Sequence, residues 1–391
     1  MIDNKNIILP IIVVAQFLCT SLWFAGNAAT PDLIEILDLK ESDLGYITSS
    51  VQLGFIIGTL FYAFFTIADR FNPSKVFFVS ALLGALSNLL IIIDGIDFSQ
   101  LLLCRFLTGF FLAGIYPVGM KIASDYFEKG LGKALSFLVG ALVLGTALPH
   151  LISSLGASFS WKSIIYFTSS LAVFGGFIIW IFVGIGPFRK MGQRPKFAEI
   201  LRIFSKPSFK SATIGYVGHM WELYAFWAFI PAILIRYDSA NSLSLDISLF
   251  SFYVISIGGI ACIFGGYFSE RFGVNKIANY SLALSGLSCL IIPFAFLLSP
   301  ILFIGFLLFW GMVVIADSPL FSTLVAQNAI PELKGTALTI VTCIGFANTI
   351  VSIQLISLLN EYFKQPYVYM VLVIGPIVGL IGQVKYRVSS E

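Results

Sequence analysis

The chain has 391 residues and a formal net charge of +3; 58% of the residues are hydrophobic and only 11% are charged. Soluble globular proteins carry roughly 25% charged residues, so this composition cannot cover an ordinary soluble surface. It argues against a secreted protein, a cytosolic enzyme and a nucleic-acid-binding protein. We expect an integral membrane protein instead.

Apolar runs of about 20 residues, each long enough to cross a hydrocarbon core of about 30 Å, recur along the whole chain. Backbone groups in lipid must be satisfied within their own segment, so each run is predicted to be an α-helix. The sequence therefore predicts an all-α polytopic membrane protein with twelve transmembrane helices. The predicted spans are 7–29, 44–67, 76–93, 99–124, 131–153, 163–186, 211–235, 247–268, 277–298, 300–325, 335–358 and 366–384.

The cationic residues between the spans are unevenly distributed. If both termini are cytoplasmic, 17 of the 23 Lys and Arg residues fall in cytoplasmic segments. Such an excess is typical of cytoplasmic loops, so we predict that orientation. The segment 187–210 is rich in cations and is predicted to be a linker along the anionic inner leaflet. It separates two predicted six-helix bundles, residues 1–186 and 211–391.

The two halves of the sequence resemble each other at an almost constant offset. The matching segments are Asp69-Arg70-Phe71 with Glu270-Arg271-Phe272, Pro31 with Pro231, Pro117 with Pro319, and Gly132-Lys133-Ala134-Leu135 with Gly335-Thr336-Ala337-Leu338. An even number of spans returns the chain to its starting side, so the two bundles have the same topology. Two such bundles can move about a central site and expose it to each side in turn, which favours a transporter over a channel.

The repeated loop resembles a signature of the major facilitator superfamily, G-x-x-x-D-R-x-G-R-R. Asp69 and Arg70 match it, although Asn72-Pro73-Ser74 stands where Gly-Arg-Arg is usual. The second copy fits better and its matching residues are Gly266, Glu270, Arg271 and Gly273. An Asp or Glu beside an Arg at a helix end can hold one conformer, so we predict that these two pairs act as a conformational latch. Ordinary ion pairs at the membrane surface are the alternative.

The fourth and fifth predicted helices carry further partial matches to that superfamily. Arg105 and Gly109 resemble its R-x-x-x-G motif, whereas Gly140, Gly145 and Pro149 match an antiporter signature incompletely. The resemblance covers nearly the whole chain. It implies two pseudo-symmetric six-helix bundles and secondary transport by alternating access.

Arg105, Glu222 and Asp317 are ionisable residues that lie inside predicted spans. Each costs roughly 2.5–3.5 kcal/mol at the centre of a lipid-exposed helix, so they must face the protein interior or pair. Tyr216 and His219 precede Glu222 at three-residue spacing and form one polar stripe with it. Glu222 and Asp317 are predicted to carry a coupled proton. Structural pairing between helices is the alternative for both acids.

Arg105 could bind a carboxylate-type substrate with its guanidinium, assist proton transfer, or pair with an acid. Lys121 is expected to snorkel or to pair with Asp125 one turn later. Aromatic and amide residues near the other charges could also line a cavity, with packing between helices as the alternative. The predicted substrate-binding residues are Arg105, His219, Tyr116, Tyr216, Trp23, Asn27 and Trp221.

Several chemical motifs are missing from the sequence. It contains no G-x-x-x-x-G-K-[ST] loop, no H-E-x-x-H pair and no spacing suited to a metal or a catalytic triad. We therefore expect no enzyme activity, cofactor or metal, and energy from an ion or solute gradient. The hypothesis is a monomeric, proton-coupled transporter of a small polar solute, an organic anion, in a bacterial cytoplasmic (inner) membrane. Its partners are substrate, protons and the bilayer, not nucleic acid. The alternative is a proton-driven exporter of cationic or amphipathic drugs.

Overall fold

The computed structural model describes residues 5–40, 42–127, 131–155, 160–189, 204–330, 333–363 and 365–386. Within these ranges the only regular secondary structure is helical. Eleven of the described helices are long and apolar enough to cross a membrane, and Ile7–Thr20 is a shorter apolar helix. The prediction of an all-α polytopic membrane protein is confirmed.

Each predicted span overlaps one of twelve main helices in the described residues, and the ends differ by a few residues except in the first span. We number these helices in chain order. They are α1 (Lys5–Thr20), α2 (Asp43–Phe64), α3 (Pro73–Ile92), α4 (Phe98–Tyr126), α5 (Leu131–Ser154), α6 (Trp161–Phe182), α7 (Pro207–Asn241), α8 (Ile247–Phe272), α9 (Val274–Ala295), α10 (Pro300–Asn328), α11 (Lys334–Tyr362) and α12 (Pro366–Lys385).

The first span departs most from its prediction. A single helix was expected over 7–29, but α1 ends at Thr20 and is followed by two short helices, Ala25–Ala28 and Thr30–Leu37. The intervening residues 21–24 form a turn. Non-helical backbone at membrane depth is tolerated only where other protein groups satisfy it. The partners of this turn therefore matter for the site described below.

Helices α4 and α10 are both interrupted at corresponding places. In α4 the second segment begins at Tyr116, directly before Pro117; in α10 it begins at Ser318, directly before Pro319. Proline lacks an amide hydrogen and disturbs the preceding helical turn, which explains why the break recurs at both repeated prolines. The repeat seen in the sequence is thus reproduced in the local backbone.

Contacts divide the described helices into two compact units. The first contains α1 to α6 together with residues 244–256, and the second contains α7, the remainder of α8 and α9 to α12. The linker predicted over 187–210 lies mostly outside the described residues. The domain boundaries given above remain a prediction.

The first unit contains an unusually close approach between α2 and α4. A Cβ atom at Gly109 would overlap the backbone carbonyl oxygen of Val51, and one at Gly54 would overlap that of Phe106. Small residues let helices in a membrane pack backbone to backbone. Gly109 is the glycine of the R-x-x-x-G motif, so the structure gives that motif position a steric reason.

We predict that Gly109→Ala lowers the free energy of unfolding by about 1–3 kcal/mol, because the added methyl group overpacks the α2–α4 contact. Thermal denaturation in detergent, followed by tryptophan fluorescence, measures the effect. Gly132→Ala is the matched control, since a Cβ atom there meets nothing within 4 Å. Equal midpoints for the two variants would contradict the packing argument.

The predicted orientation can be tested with single cysteines, because all five native cysteines are buried and none of them forms a disulfide bond. Asp94 lies in the loop between α3 and α4 on the predicted external side, and its side chain is 94% exposed. Lys75 is exposed at the opposite end of α3. In intact cells a membrane-impermeant maleimide should label Asp94→Cys and leave Lys75→Cys unlabelled. The reverse pattern would overturn the orientation.

Candidate functional site

Glu222 of α7 lies in a polar cluster inside the second unit. Its side chain is 1% exposed, and its Oε1 atom accepts hydrogen bonds from three side chains. Ser285 and Cys289, one turn apart on α9, donate through Oγ and through Sγ at 3.3 Å. Trp310 of α10 donates through Nε1 at 2.6 Å. Three helices therefore meet at one carboxyl group.

His219, one turn before Glu222, forms a second contact within the same unit. Its Nδ1 atom lies 2.8 Å from Oδ1 of Asp317, and both side chains are 1% exposed. Asp317 stands at the break in α10, where its backbone carbonyl accepts from the amide of Phe321. Nε2 of His219 is buried and has no hydrogen-bond partner among the described residues. The imidazole thus has one nitrogen at a carboxylate and one nitrogen available.

The two acids belong to one electrostatic cluster. Glu222 lies one turn after His219 on α7, and His219 contacts Asp317, so the two acids share one buried neighbourhood. Tyr216 continues the α7 stripe, and its ring centroid is 6.3 Å from that of His219. The stripe predicted from three-residue spacing is therefore present and buried. We call Glu222, His219 and Asp317 the acid–histidine cluster.

Trp221, predicted to bind substrate, lies elsewhere on α7. Its indole Nε1 donates to the carbonyl oxygen of Val371 in α12 at 3.2 Å. A residue directly before Glu222 points about 100° away around a helix, so the two side chains cannot share one face. The structure does not bring Trp221 to the acid–histidine cluster.

Arg105 occupies the interior of the first unit and is completely buried. Its Nη2 atom donates to the carbonyl oxygens of Leu22 at 3.1 Å and Trp23 at 2.6 Å, both in the turn that follows α1. Its Nη1 atom donates to Oδ1 of Asn88 at 2.9 Å. The guanidinium therefore supplies the hydrogen bonds that the interrupted helix cannot make for itself.

Asn88 of α3 extends this network to α6. Its Nδ2 atom lies 3.2 Å from Oγ1 of Thr168 and 3.0 Å from Oγ of Ser169. The arrangement orients Asn88 so that its carbonyl oxygen faces Arg105. Helices α3, α4 and α6 and the turn after α1 are thus joined by one buried polar network.

The remaining predicted residues of the first unit are spread around this network. Trp23 is 1% exposed and its ring packs 4.8 Å from that of Phe55. Asn27 is buried and donates to Oγ1 of Thr48 in α2 at 2.7 Å. Tyr116 is half-buried at the start of the second segment of α4. Trp23 touches the Arg105 network through its carbonyl oxygen.

The buried charges of the two units differ in sign and lie on helices that do not correspond in the repeat, Arg105 on α4 and Glu222 on α7. At the offsets of the repeat, Leu22 corresponds to Glu222 and Asn88 corresponds to Cys289. In the first unit a cation from α4 binds carbonyl oxygens of an interrupted helix. In the second unit α7 is continuous, and a carboxyl group on it accepts hydrogen bonds instead. Asn88 and Cys289 were missed by sequence reasoning, although the repeat offset itself relates them to each other.

The predicted latch residues differ in their surroundings. Asp69 Oδ1 lies 2.8 Å from Nζ of Lys121, which also lies 3.4 Å from Oδ1 of Asp125, as the spacing of the latter pair predicted. Arg189, beyond α6, donates through Nη2 to the backbone carbonyls of Asp69 at 2.7 Å and Phe71 at 2.9 Å. The loop around Asp69 is therefore held by two cations from outside its signature.

The other three latch residues, Arg70, Glu270 and Arg271, are exposed. The guanidinium of Arg271 lies 5.4 Å from the ring of its neighbour Phe272. Surface charges of this kind are strongly hydrated and contribute little within one unit. Their role as a latch remains a prediction.

The folded chain is a polytopic helical protein in which α4 and α10 are both interrupted next to a proline. Its overall fold matches a crystal structure of the nucleoside transporter NupG with a TM-score of 0.73, at 14% identity, over 98% of this chain and 100% of that one. At this identity the likeness concerns the fold alone.

Sequence comparison identifies the family. The family model for the Major Facilitator Superfamily matches residues 12–353. The chain belongs to the major facilitator superfamily and is a transporter, as the motifs predicted.

Two relatives are similar in sequence. The uncharacterized protein Cj0987c of Campylobacter jejuni is 25% identical over 69% of this chain and 83% of that protein. The probable nitrate/nitrite antiporter NarK1 of Thermus thermophilus is 27% identical over 55% of this chain and 50% of that protein. The second alignment therefore spans about half of each protein.

The Arg105 network yields a prediction for stability. Arg105→Lys keeps the charge but cannot donate simultaneously to the turn after α1 and to Asn88, so it should lose about 1.5–3 kcal/mol for each charged hydrogen bond that is broken. Chemical denaturation in detergent measures the loss. The control is Lys162→Arg, which replaces one cation by another in the exposed ion pair with Asp94. It should leave the free energy of unfolding unchanged. A fully stable Arg105→Lys protein would contradict the network.

Proposed function

We propose that the protein is a proton-coupled secondary transporter of a small polar anion, with organic anions as the first class to test, and that the acid–histidine cluster binds the proton. The observation that carries the proposal is the contact of His219 with Asp317 next to buried Glu222. Ionisable groups inside a membrane protein are expensive to keep and characteristically mark ion pathways. Alternating access would expose the cluster to each side in turn.

A purely structural role accounts less well for this geometry. A buried ion pair that only joins helices stabilises little compared with apolar residues of the same volume. The cluster also contains one more acid than base, so its two carboxyl groups and one imidazole cannot all neutralise each other. An unbalanced group of this kind is suited to gain and lose a proton.

The charge of the cluster links the proton to the cargo. With both acids ionised and the imidazole neutral, the cluster is negative and repels an anion. Each proton that binds removes negative charge or adds positive charge, so proton binding strengthens anion binding. The proton and the anion are therefore transported in the same direction. A cationic cargo would bind to the deprotonated cluster and exchange with the proton instead.

His219 is positioned to connect the two events. Its Nδ1 faces Asp317, while its Nε2 has no partner in the described part of the chain. Protonation of the ring makes both nitrogens donors and gives the ring a positive charge. In this proposal Nε2 contacts the anion once the unit opens, and Asp317 stabilises the charged ring.

Arg105 has a different role in the proposal. Its guanidinium is already bonded to Asn88 and to the turn after α1, so we assign it to positioning that turn and not to binding the cargo. Trp23 in the turn and Asn27 just after it would then be oriented by Arg105. They remain candidates for contact with the solute.

One relative supports an anionic cargo, because it is named as a probable nitrate/nitrite antiporter. That relative and Cj0987c both come from bacteria. We place the chain in the bacterial cytoplasmic membrane as a monomer with both termini inside. Organic anions and nitrate belong in the same first panel of solutes.

The test uses purified protein in liposomes with an entrapped pH dye. A panel of small anions, added outside, should carry protons inward and acidify the lumen. Glu222→Gln and Asp317→Asn should each reduce this proton movement at least tenfold, because an amide cannot take up a proton at neutral pH. Glu361→Gln, the same exchange at an exposed residue of α11, should leave it unchanged.

Two results would contradict the proposal. Anion transport without proton movement would remove the coupling. Proton movement with lipophilic cations only, in the opposite direction, would favour the alternative of drug export. That alternative draws support from the 15% aromatic content, and the two cargo panels separate it from the proposal.

A further inference from the structure

A groove of about 760 Å³ opens on the second unit, between the start of α9, the end of α10 and α12. It is distinct from the acid–histidine cluster and plays no part in the proposed coupling. Its polar lining residues are Asn275, Lys276, Asn279 and Gln327, and none of its lining residues is acidic. Leu324 and Leu380 add apolar surface. One cation, several amides and an apolar wall therefore share one recess.

The polar atoms of the groove are only partly used by the protein. Asn279 donates through Nδ2 to Oδ1 of Asn275 at 3.0 Å, whereas its own Oδ1 is buried without a partner among the described residues. Nζ of Lys276 lies 5.9 Å from the ring centre of exposed Tyr280. The groove thus offers a positive charge and an unused hydrogen-bond acceptor a short distance apart on one helix.

The sequence repeat shows that this chemistry is special to the second unit. Lys276 corresponds to Lys75 at the 201-residue offset, but Asn279 corresponds to Phe78. Phe78 stacks on Trp180, with ring centroids 4.9 Å apart and an interplanar angle of 11°. The first unit therefore fills with aromatic rings the position where the second unit carries an amide.

The location limits what can occupy the groove. It lies where α9 begins, next to the end of α8 that carries Glu270 and Arg271, in a chain that spans a membrane. Lys and Tyr at such positions lie at the level of the lipid headgroups. Basic pockets between helices at this level bind anionic headgroups, and the apolar wall can hold the adjoining acyl chain.

We propose that this groove binds the headgroup of an anionic phospholipid, with the phosphate at Lys276 and a headgroup hydroxyl donating to Oδ1 of Asn279. Phosphatidylglycerol has both features. Phosphatidylcholine has the phosphate but neither a net negative charge nor a hydroxyl group. Phosphatidic acid has the charge but lacks the glycerol hydroxyls, so the three lipids separate the two contacts.

The experiment is native mass spectrometry of the full-length protein, titrated with each lipid in detergent. Wild-type protein should retain phosphatidylglycerol about fivefold more tightly than phosphatidylcholine of the same chain length, the effect expected of one Lys near an anionic headgroup. Lys276→Gln should reduce that preference, because it removes the charge and keeps the acceptor on Asn279. Lys75→Gln, the corresponding exchange in the first unit, should preserve it.

Asn279→Leu tests the hydroxyl contact separately, because it removes the acceptor Oδ1 and keeps the charge of Lys276. It should weaken phosphatidylglycerol binding and leave phosphatidic acid binding unchanged. Equal retention of phosphatidylglycerol and phosphatidylcholine by wild type, or equal losses in the Lys276 and Lys75 variants, would overturn the proposal. Displacement of the lipid by free glycerol phosphate at equal concentration would also overturn it, since the site would then bind soluble phosphates.

Discussion

Every polar group that this protein places in the hydrocarbon core must find its partner inside the protein, because lipid offers none. The two units meet that constraint with charges of opposite sign. In the first, the guanidinium of Arg105 binds carbonyl oxygens left over where the first helix is interrupted. In the second, α7 is continuous and has no such oxygens to offer, and Glu222 is held by donors from α9 and α10.

The difference between the charges has a functional consequence. The Arg105 network uses its donors on fixed backbone oxygens, and a guanidinium does not release its proton in proteins. The network can therefore stabilise the turn after α1, but it cannot bind or release a proton in response to a proton gradient. The acid–histidine cluster contains only groups that do exchange protons, and its charge changes with each one. We accordingly infer a division of labour in which the first unit maintains an interrupted helix and the second binds the proton.

Much of the fold could be predicted from the sequence, because lipid forces apolar runs into helices and the repeat relates Pro117 to Pro319. The stripe of Tyr216, His219 and Glu222 was also predictable from its spacing. The interruption after Thr20 was not, since residues 21–24 are apolar enough for a helix and only the distant Arg105 satisfies the open turn. The donors around Glu222 were hidden for a similar reason: Ser285, Cys289 and Trp310 are ordinary residues of apolar spans until folding joins them.

The central claim is that the acid–histidine cluster exchanges a proton, and infrared difference spectroscopy tests it without knowledge of the cargo. Spectra of the protein in lipid, recorded between acidic and alkaline buffers, report the carbonyl stretch of a protonated carboxylic acid. The account predicts such a band in the wild type, with loss of its pH-dependent change in Glu222→Gln or in Asp317→Asn and its full retention in Glu361→Gln. An unchanged band in both cluster variants would contradict the account.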